Sequence, residues 1–272
     1  MKKMILIVAA IIFAAGCHNV NDWEYDSIPP MPPRNINTIT GDNRVDIYWQ
    51  RNKEPDLAGY NVYFSYSYDG TYELIGTTYD NYFVDYGARN GITYYYAVTA
   101  FDYNNNESEL SYDVVYDTPR PEGFDRALFD LHVSPSNSGY DFSDYSVVPY
   151  DGEGADFFFE KYEGIYYLNV WEDTDIQDMG PAYDIYDVSF APTDGWVPIN
   201  DGENIKYVEA IPGHTYVIWT WDNRYAKVRI SAIAGDRMIF DWAYQTVEGN
   251  RQLKINRKSI DRKNLSLQRK GR

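Results

Sequence analysis

Closely spaced carboxylates are the first groups in this chain whose types and spacing suggest chemistry. Asp173, Asp175 and Asp178 stand within six residues, and residues 151–156 hold three further acids. Calcium takes roughly six to eight oxygen ligands, so carboxylates gathered on one loop are suitable donors. Neither segment has the Gly and Glu positions of the twelve-residue calcium loop. Asp173, Asp175 and Asp178 are the candidate calcium site. The alternative is a chance cluster in a chain with 41 acids.

Aromatic side chains suggest a second chemistry, because exposed rings stack on sugars and Tyr and Trp are favoured at binding surfaces. Aromatic residues make up 17% of the chain. Trp221 lies in an expected turn and Trp196 follows a Thr-Asp-Gly sequence. These two are the candidate ligand platform. The alternative is core packing, which we expect for most of the other tryptophans nearby.

Motifs of enzymes are absent from the sequence. It has no Gly-x-Ser-x-Gly elbow, no His-Glu-x-x-His zinc motif and no Gly-rich phosphate loop. A pair of acids for glycoside hydrolysis stays open, because the separation of two carboxylates depends on the fold. We therefore expect no catalysis, and an accessory carbohydrate-active enzyme is the alternative.

The lone cysteine stands behind an apolar run. A basic start precedes apolar residues 4–13, and Ala-Ala-Gly leads to Cys17. The run is shorter than the roughly 20 residues that cross a bilayer, and Cys17 has no disulfide partner. The pattern resembles a bacterial lipoprotein signal peptide over residues 1–16. The resemblance implies cleavage between Gly16 and Cys17 and a covalent lipid on Cys17 that anchors the chain to a membrane. A secretory signal cut elsewhere is the alternative.

Segments at both ends flank the folded part. Residues 17–33 comprise the lipidated Cys and a Pro-rich tether, which favours an extended spacer. The lipoprotein resemblance also bears on which membrane holds the protein. An Asp directly after the lipidated cysteine indicates retention in the inner membrane, and this chain has His18 there, so the resemblance favours the outer membrane. Residues 251–272 form a basic tail with nine basic residues and one acid, so 15 basic and 40 acidic residues remain elsewhere. The tail is predicted to be disordered or to contact anionic lipid or the acidic body. A body this acidic does not suit nucleic acid.

The elements that position these groups are predicted to be β-strands. Val45, Ile47 and Trp49 alternate with polar residues, as in a half-buried strand, and Tyr94 opens another such run. With the sequence that continues to Asp102, these residues resemble a fibronectin type III domain over residues 34–118. The resemblance implies a Greek-key sandwich with Trp49 in its core and Tyr94 as its tyrosine corner.

After a linker at residues 119–123, residues 124–250 are predicted to form a second antiparallel β-sandwich or partial barrel. Residues 183–190 alternate as one of its strands. Residues 213–244 faintly resemble the closing strands of HmuY-like heme-binding lipoproteins. That resemblance implies His132 and His214 as candidate heme ligands, and the alternative is that both are structural.

Together these features indicate an all-β, lipid-anchored binding or scaffolding protein of a bacterial envelope. An envelope protein or a glycan is the expected partner. A glycan-binding protein or accessory carbohydrate-active enzyme is the alternative, and a heme or metal carrier is the third possibility. No cofactor is expected.

Overall fold

The computed structural model describes residues 26–113, 115–253 and 268–269. Across these residues no helix is long and apolar enough to cross a membrane. Strands dominate, and the helical element in the described part is a single 3-10 turn at Pro135–Asn137. The predicted all-β class is confirmed.

Seven strands build the first unit: β1 (Arg34–Gly41), β2 (Arg44–Gln50), β3 (Leu57–Ser65), β4 (Thr71–Thr78), β5 (Tyr82–Asp85), β6 (Tyr94–Asp102) and β7 (Val115–Asp117). They form two antiparallel sheets, with strand orders β1-β2-β5 and β4-β3-β6-β7. A two-residue strand near the end of the chain, Gln268–Arg269, pairs in parallel with β4. This strand order is that of a fibronectin type III domain, which confirms the resemblance.

The core of the first unit contains both residues that the resemblance emphasised. Trp49 on β2 is buried and meets Tyr60 edge to face, with ring centroids 5.2 Å apart. Tyr94 is buried at the start of β6, and its hydroxyl accepts the backbone N–H of Arg89 at 3.1 Å. A tyrosine that reaches back to backbone a few residues upstream is the tyrosine corner of these sandwiches.

Ten strands build the second unit: β8 (Glu122–Phe129), β9 (Gly139–Asp141), β10 (Ser146–Val148), β11 (Phe157–Tyr162), β12 (Ile165–Trp171), β13 (Asp175–Pro181), β14 (Ile205–Glu209), β15 (His214–Trp219), β16 (Tyr225–Ala234) and β17 (Arg237–Gln245). One antiparallel sheet has the order β10-β9-β11-β12-β14, and the other has the order β13-β15-β16-β17-β8. One apolar cluster includes side chains from both sheets, among them Phe157, Phe240 and Trp242. The second unit is therefore a β-sandwich.

Two local predictions in the second unit are wrong. Residues 183–190 belong to a loop over residues 182–204, which lies against the outside of the β13–β17 sheet and accepts a hydrogen bond from Lys227 at Val188 O. Ile185 is buried and Val188 packs on an apolar cluster, but they are three residues apart and do not follow the two-residue period of a strand, while Tyr183 is 89% exposed. The acidic segment interpreted as a loop instead forms the strand β13, because buried Ile176 alternates with polar neighbours.

The linker is buried between the two units. Gly91 donates its N–H to Pro119 O on one side, and Tyr244 donates its N–H to Pro121 O on the other. Arg120 is completely buried between the carboxyl groups of Asp117 and Glu122. Its guanidinium has no hydrogen-bond partner within the described part of the chain. Burial lowers the pKa of Arg120 and raises the pKa of both acids, and the opposite charges oppose these shifts.

The predicted segments at the ends are partly packed. Pro30 and Pro33 of the tether are buried, and Met31 donates its N–H to Glu54 at 2.7 Å. The described part of the tether, residues 26–33, therefore lies on the first unit. At the other end, Leu253 is buried against Val217 and Tyr225, so packed structure continues three residues into the predicted tail.

Candidate functional site

The outer face of the β11–β12–β14 region carries exposed aromatic rings. Side chains alternate across a strand, so the paired residues of these strands share one face. We call this surface the outer aromatic face, and it comprises Tyr162, Tyr167, Trp171 and Tyr207 with the polar residues Glu160, Asn169 and Glu209. Tyr207 is 44% exposed, and its ring lies 5.6 Å from that of Tyr167 at nearly a right angle. Trp171 packs on buried Phe158, with centroids 5.5 Å apart.

Polar groups stand in register among these rings. Glu160 on β11 and Glu209 on β14 both pair with Tyr167 on β12, so the tyrosine has a carboxylate on each side. Asn169 is buried beneath the rings, and its amide donates to Glu160 Oε2 at 3.2 Å. Glu160 Oε1 lies 3.0 Å from His132 Nε2. The carboxylate is therefore held in place by two partners.

This combination suits a polyhydroxylated ligand with an apolar ring face. Aromatic rings offer large contact area at low entropic cost, and Tyr has a polar end as well. A carboxylate accepts through both oxygens, with about four lone-pair positions, so Glu160 keeps capacity beyond its two partners. Sequence reasoning missed this face. Tyr167 and Trp171 are four residues apart and so share one face of β12, but no local pattern places Tyr207 beside them.

The predicted platform of Trp196 and Trp221 is divided in the structure. Trp196 is half-buried, and its ring contacts Trp219 at 5.8 Å, which in turn stacks on Tyr225 at 5.5 Å. Those rings cover buried Val217, so Trp196 is largely a packing residue. Trp221 is 66% exposed in the turn between β15 and β16. It is available for contact, without an aromatic neighbour in the described structure.

The predicted calcium residues do not converge. Asp175 receives the buried Lys206 ammonium at 2.8 Å, and Asp178 pairs with His214 at 2.9 Å. Three residues of extended strand separate Asp175 from Asp178, about 10 Å along β13. Asp173 lies in the preceding turn. Two of the three carboxylates are therefore already paired with side chains of the protein, Lys206 and His214.

Asp156 lies in a different acidic environment at one end of the second unit. It is buried and accepts the backbone N–H of Phe142 at 2.7 Å. Burial, together with the charges of Asp141, Asp222 and Asp173, raises its pKa to about 7, and the Phe142 hydrogen bond only partly opposes this. Turns that are distant in sequence bring these acids together. Asp156 was among the acids singled out at residues 151–156, but its burial was not predicted.

The two candidate heme ligands lie far apart. His132 follows β8 and pairs with Glu160, whereas His214 opens β15 and pairs with Asp178. The strands β16 and β17 lie between β15 and β8, so the strands themselves are about 14 Å apart at typical spacing, and His132 lies beyond the end of β8. Heme iron needs two axial ligands on opposite sides of one atom. The structure does not bring these histidines together in that way.

One group of three carboxylates does converge within the described residues. Oxygens of Asp26, Asp56 and Asp102 lie within 4.8 Å of one another. Burial raises the pKa of Asp102, but hydrogen bonds from the Asn106 side chain and from the backbone N–H groups of Asn106 and Asn104 outweigh it and lower the pKa overall. Asp102 thus organises the turn after β6. Cys17 and the cleavage position lie outside the described residues.

Comparison with known proteins gives partial matches. No family model matches the chain. An amylopullulanase of Thermoanaerobacterium saccharolyticum is 35% identical over 147 residues, which is 51% of this chain and 11% of that protein. An amylopullulanase of Thermoanaerobacterium thermosulfurigenes is 32% identical over 119 residues, 43% of this chain and 6% of that protein. The chain thus spans about a tenth or less of the length of these relatives.

Among solved structures, a β-1,2-glucanase from Parabacteroides distasonis is 31% identical, with a TM-score of 0.31, over 35% of this chain and 13% of that one. A fibronectin type III-like protein from Clostridium thermocellum is 25% identical, with a TM-score of 0.29, over 35% of this chain and 98% of that one.

Proposed function

We propose that this chain is a non-catalytic glycan-binding protein that serves as an accessory to glycan breakdown. The observation that carries the proposal is the outer aromatic face, where exposed tyrosines stand beside carboxylates on a rigid sheet. The relatives named amylopullulanase support it, because they act on pullulan by name and share only a small part of their length with this chain. A short shared region of a large enzyme is typical of an accessory module.

Binding to pullulan tests the proposal directly. Retardation of the purified protein in native gels with and without pullulan gives the affinity. Because aromatic anchors usually contribute more than about 1 kcal/mol, Tyr207→Ala is expected to weaken binding about tenfold. Tyr183→Ala is the matched control, since that tyrosine is 89% exposed on a loop of the same unit. Equal retardation of Tyr207→Ala and wild type would exclude this face as the binding site.

Absence of catalysis is tested in the same samples. Incubation of the protein with pullulan is expected to release no reducing ends. If wild type releases reducing ends and Glu160→Gln does not, the enzyme alternative is supported. A glycosidase needs two carboxylates, and Glu160 and Glu209 flank Tyr167.

We propose in addition that the protein works at the bacterial envelope, held in the outer membrane by a lipid on Cys17. The support is the sequence of basic start, short apolar run and Ala-Ala-Gly-Cys. Several acyl chains on one cysteine give stable anchoring, at about 0.8 kcal/mol per buried methylene. Cys17→Ser is expected to move the protein from the membrane fraction to the soluble fraction. A serine variant that stays with the membranes would refute the anchor without touching the glycan proposal.

A further inference from the structure

The row Glu160–Tyr167–Glu209 places one ring between two carboxylates. Both acids pair in register with Tyr167, from the strands on either side of it. Two strand spacings separate their backbones, about 10 Å. Glu209 is exposed and Glu160 is partly exposed, so both reach solvent above the sheet. The row is therefore an aromatic side chain with an acidic group on the strand at each side.

We infer that this row selects neutral glycans and rejects anionic ones, an inference that rests on the proposed function of the same face. A sugar ring stacked on Tyr167 presents its hydroxyl groups sideways, toward the two glutamates. Ionised carboxylates accept hydrogen bonds only, and bonds to a charged acceptor are about twice as strong as neutral ones. Hydroxyl groups satisfy both acids. A uronate or sulfate group instead places a third negative charge between them.

The polar groups that contact Glu160 are an amide and an imidazole. Asn169 donates its neutral amide N–H to Glu160 at 3.2 Å, and His132 Nε2 lies 3.0 Å from the other oxygen of the same carboxylate. Lys206 lies on β14 together with Glu209, but its ammonium points inward to Asp175 at 2.8 Å and so does not offset the charge of the face. Outside the basic tail, the chain has 40 acidic and 15 basic residues. An anionic polysaccharide thus meets repulsion locally and over the whole body, most strongly at low ionic strength.

If charge repulsion excludes anionic glycans, removing the two glutamate charges should change which polysaccharides bind. The double variant Glu160→Gln/Glu209→Gln keeps the shape of both side chains and removes two charges. Binding to pullulan is expected to fall about tenfold, because the charged acceptors are lost. Binding to polygalacturonate, an anionic polysaccharide, is expected to rise from no detectable retardation to a measurable one at 20 mM salt.

The matched control is Glu153→Gln/Asp201→Asn, which removes two exposed acids of the same unit away from the row. It changes the net charge equally and is expected to leave pullulan binding unchanged. Thermal unfolding of each variant establishes that it is folded. All proteins are measured in native gels with pullulan or polygalacturonate, at 20 and 500 mM salt.

The outcomes separate this inference from the proposed function. Wild type that binds polygalacturonate as tightly as pullulan overturns the inference, and so does a double Gln variant that binds pullulan like wild type. If Tyr207→Ala still weakens pullulan binding in that case, the proposed function stands without the charge selection. A wild-type protein that binds neither polysaccharide overturns both.

Discussion

Replacement of Asp156 by Asn is expected to stabilise the protein above neutral pH. The carboxyl is buried, and its neighbours Asp141, Asp173 and Asp222 add to the cost of its charge. Its pKa in the folded protein is about 7, against an ordinary value of 3.8. The amide of Asn has nearly the same shape as the protonated acid and still accepts the Phe142 N–H through its oxygen.

The direction and size of the pH effect on the free energy of unfolding follow from proton linkage. Between pH 4 and 7 the folded protein holds a proton on Asp156 that the unfolded chain has lost, so stability from this group falls as the pH rises. The stability that this carboxyl contributes is fully present below about pH 4 and is lost above about pH 7. A shift of about three pH units at about 1.4 kcal/mol each gives roughly 4 kcal/mol over the whole range. All other acids are present in both proteins, so the difference between the two proteins reports chiefly on Asp156.

Urea denaturation followed by tryptophan fluorescence at pH 5, 6, 7 and 8 measures this difference. The advantage of Asp156→Asn over wild type is expected to be under about 2 kcal/mol at pH 5 and to grow by about 2–3 kcal/mol by pH 8. Asp151→Asn, an exposed acid in the adjacent turn, is the control and is expected to show no such trend. A difference between Asp156→Asn and wild type that is constant with pH, or one that shrinks as pH rises, would refute the reasoning.

Two further predictions concern the junction and the first unit. Arg120→Met is expected to lower the free energy of unfolding by about 3–5 kcal/mol, because it leaves Asp117 and Glu122 buried without their counter-charge; chemical denaturation checks this, and a loss below 1 kcal/mol would contradict it. Tyr94→Phe is expected to cost about 0.5–1.5 kcal/mol, because the partly buried hydrogen bond from the Arg89 N–H loses its acceptor; a shift in thermal midpoint measures it, and an unchanged midpoint would show that the tyrosine corner does not contribute.

Features that depend on neighbours in sequence were predictable, and those that depend on distant pairing were not. Trp49 and Tyr94 lie in strands whose two-residue alternation is unmistakable, so the first sandwich followed from the sequence. The outer aromatic face depends on β14 pairing with β12 across more than thirty residues, which no local pattern encodes. Arg120 was assigned to a short linker, where a charge is ordinarily solvated, and only the packing of two units around it makes it a buried residue.

The packed part of the tether bears on how far the protein would reach from a bilayer if Cys17 carries the proposed lipid. Pro30 and Pro33 are buried on the first sandwich, and nine residue-to-residue steps separate Cys17 from Asp26, the first described residue. At about 3.3–3.6 Å each, they extend about 30 Å, roughly half the length of the whole 17–33 segment. A lipid on Cys17 would therefore keep the first sandwich close to the headgroups. Under the proposed anchoring, the protein would bind a glycan close to the membrane and not at a distance from it.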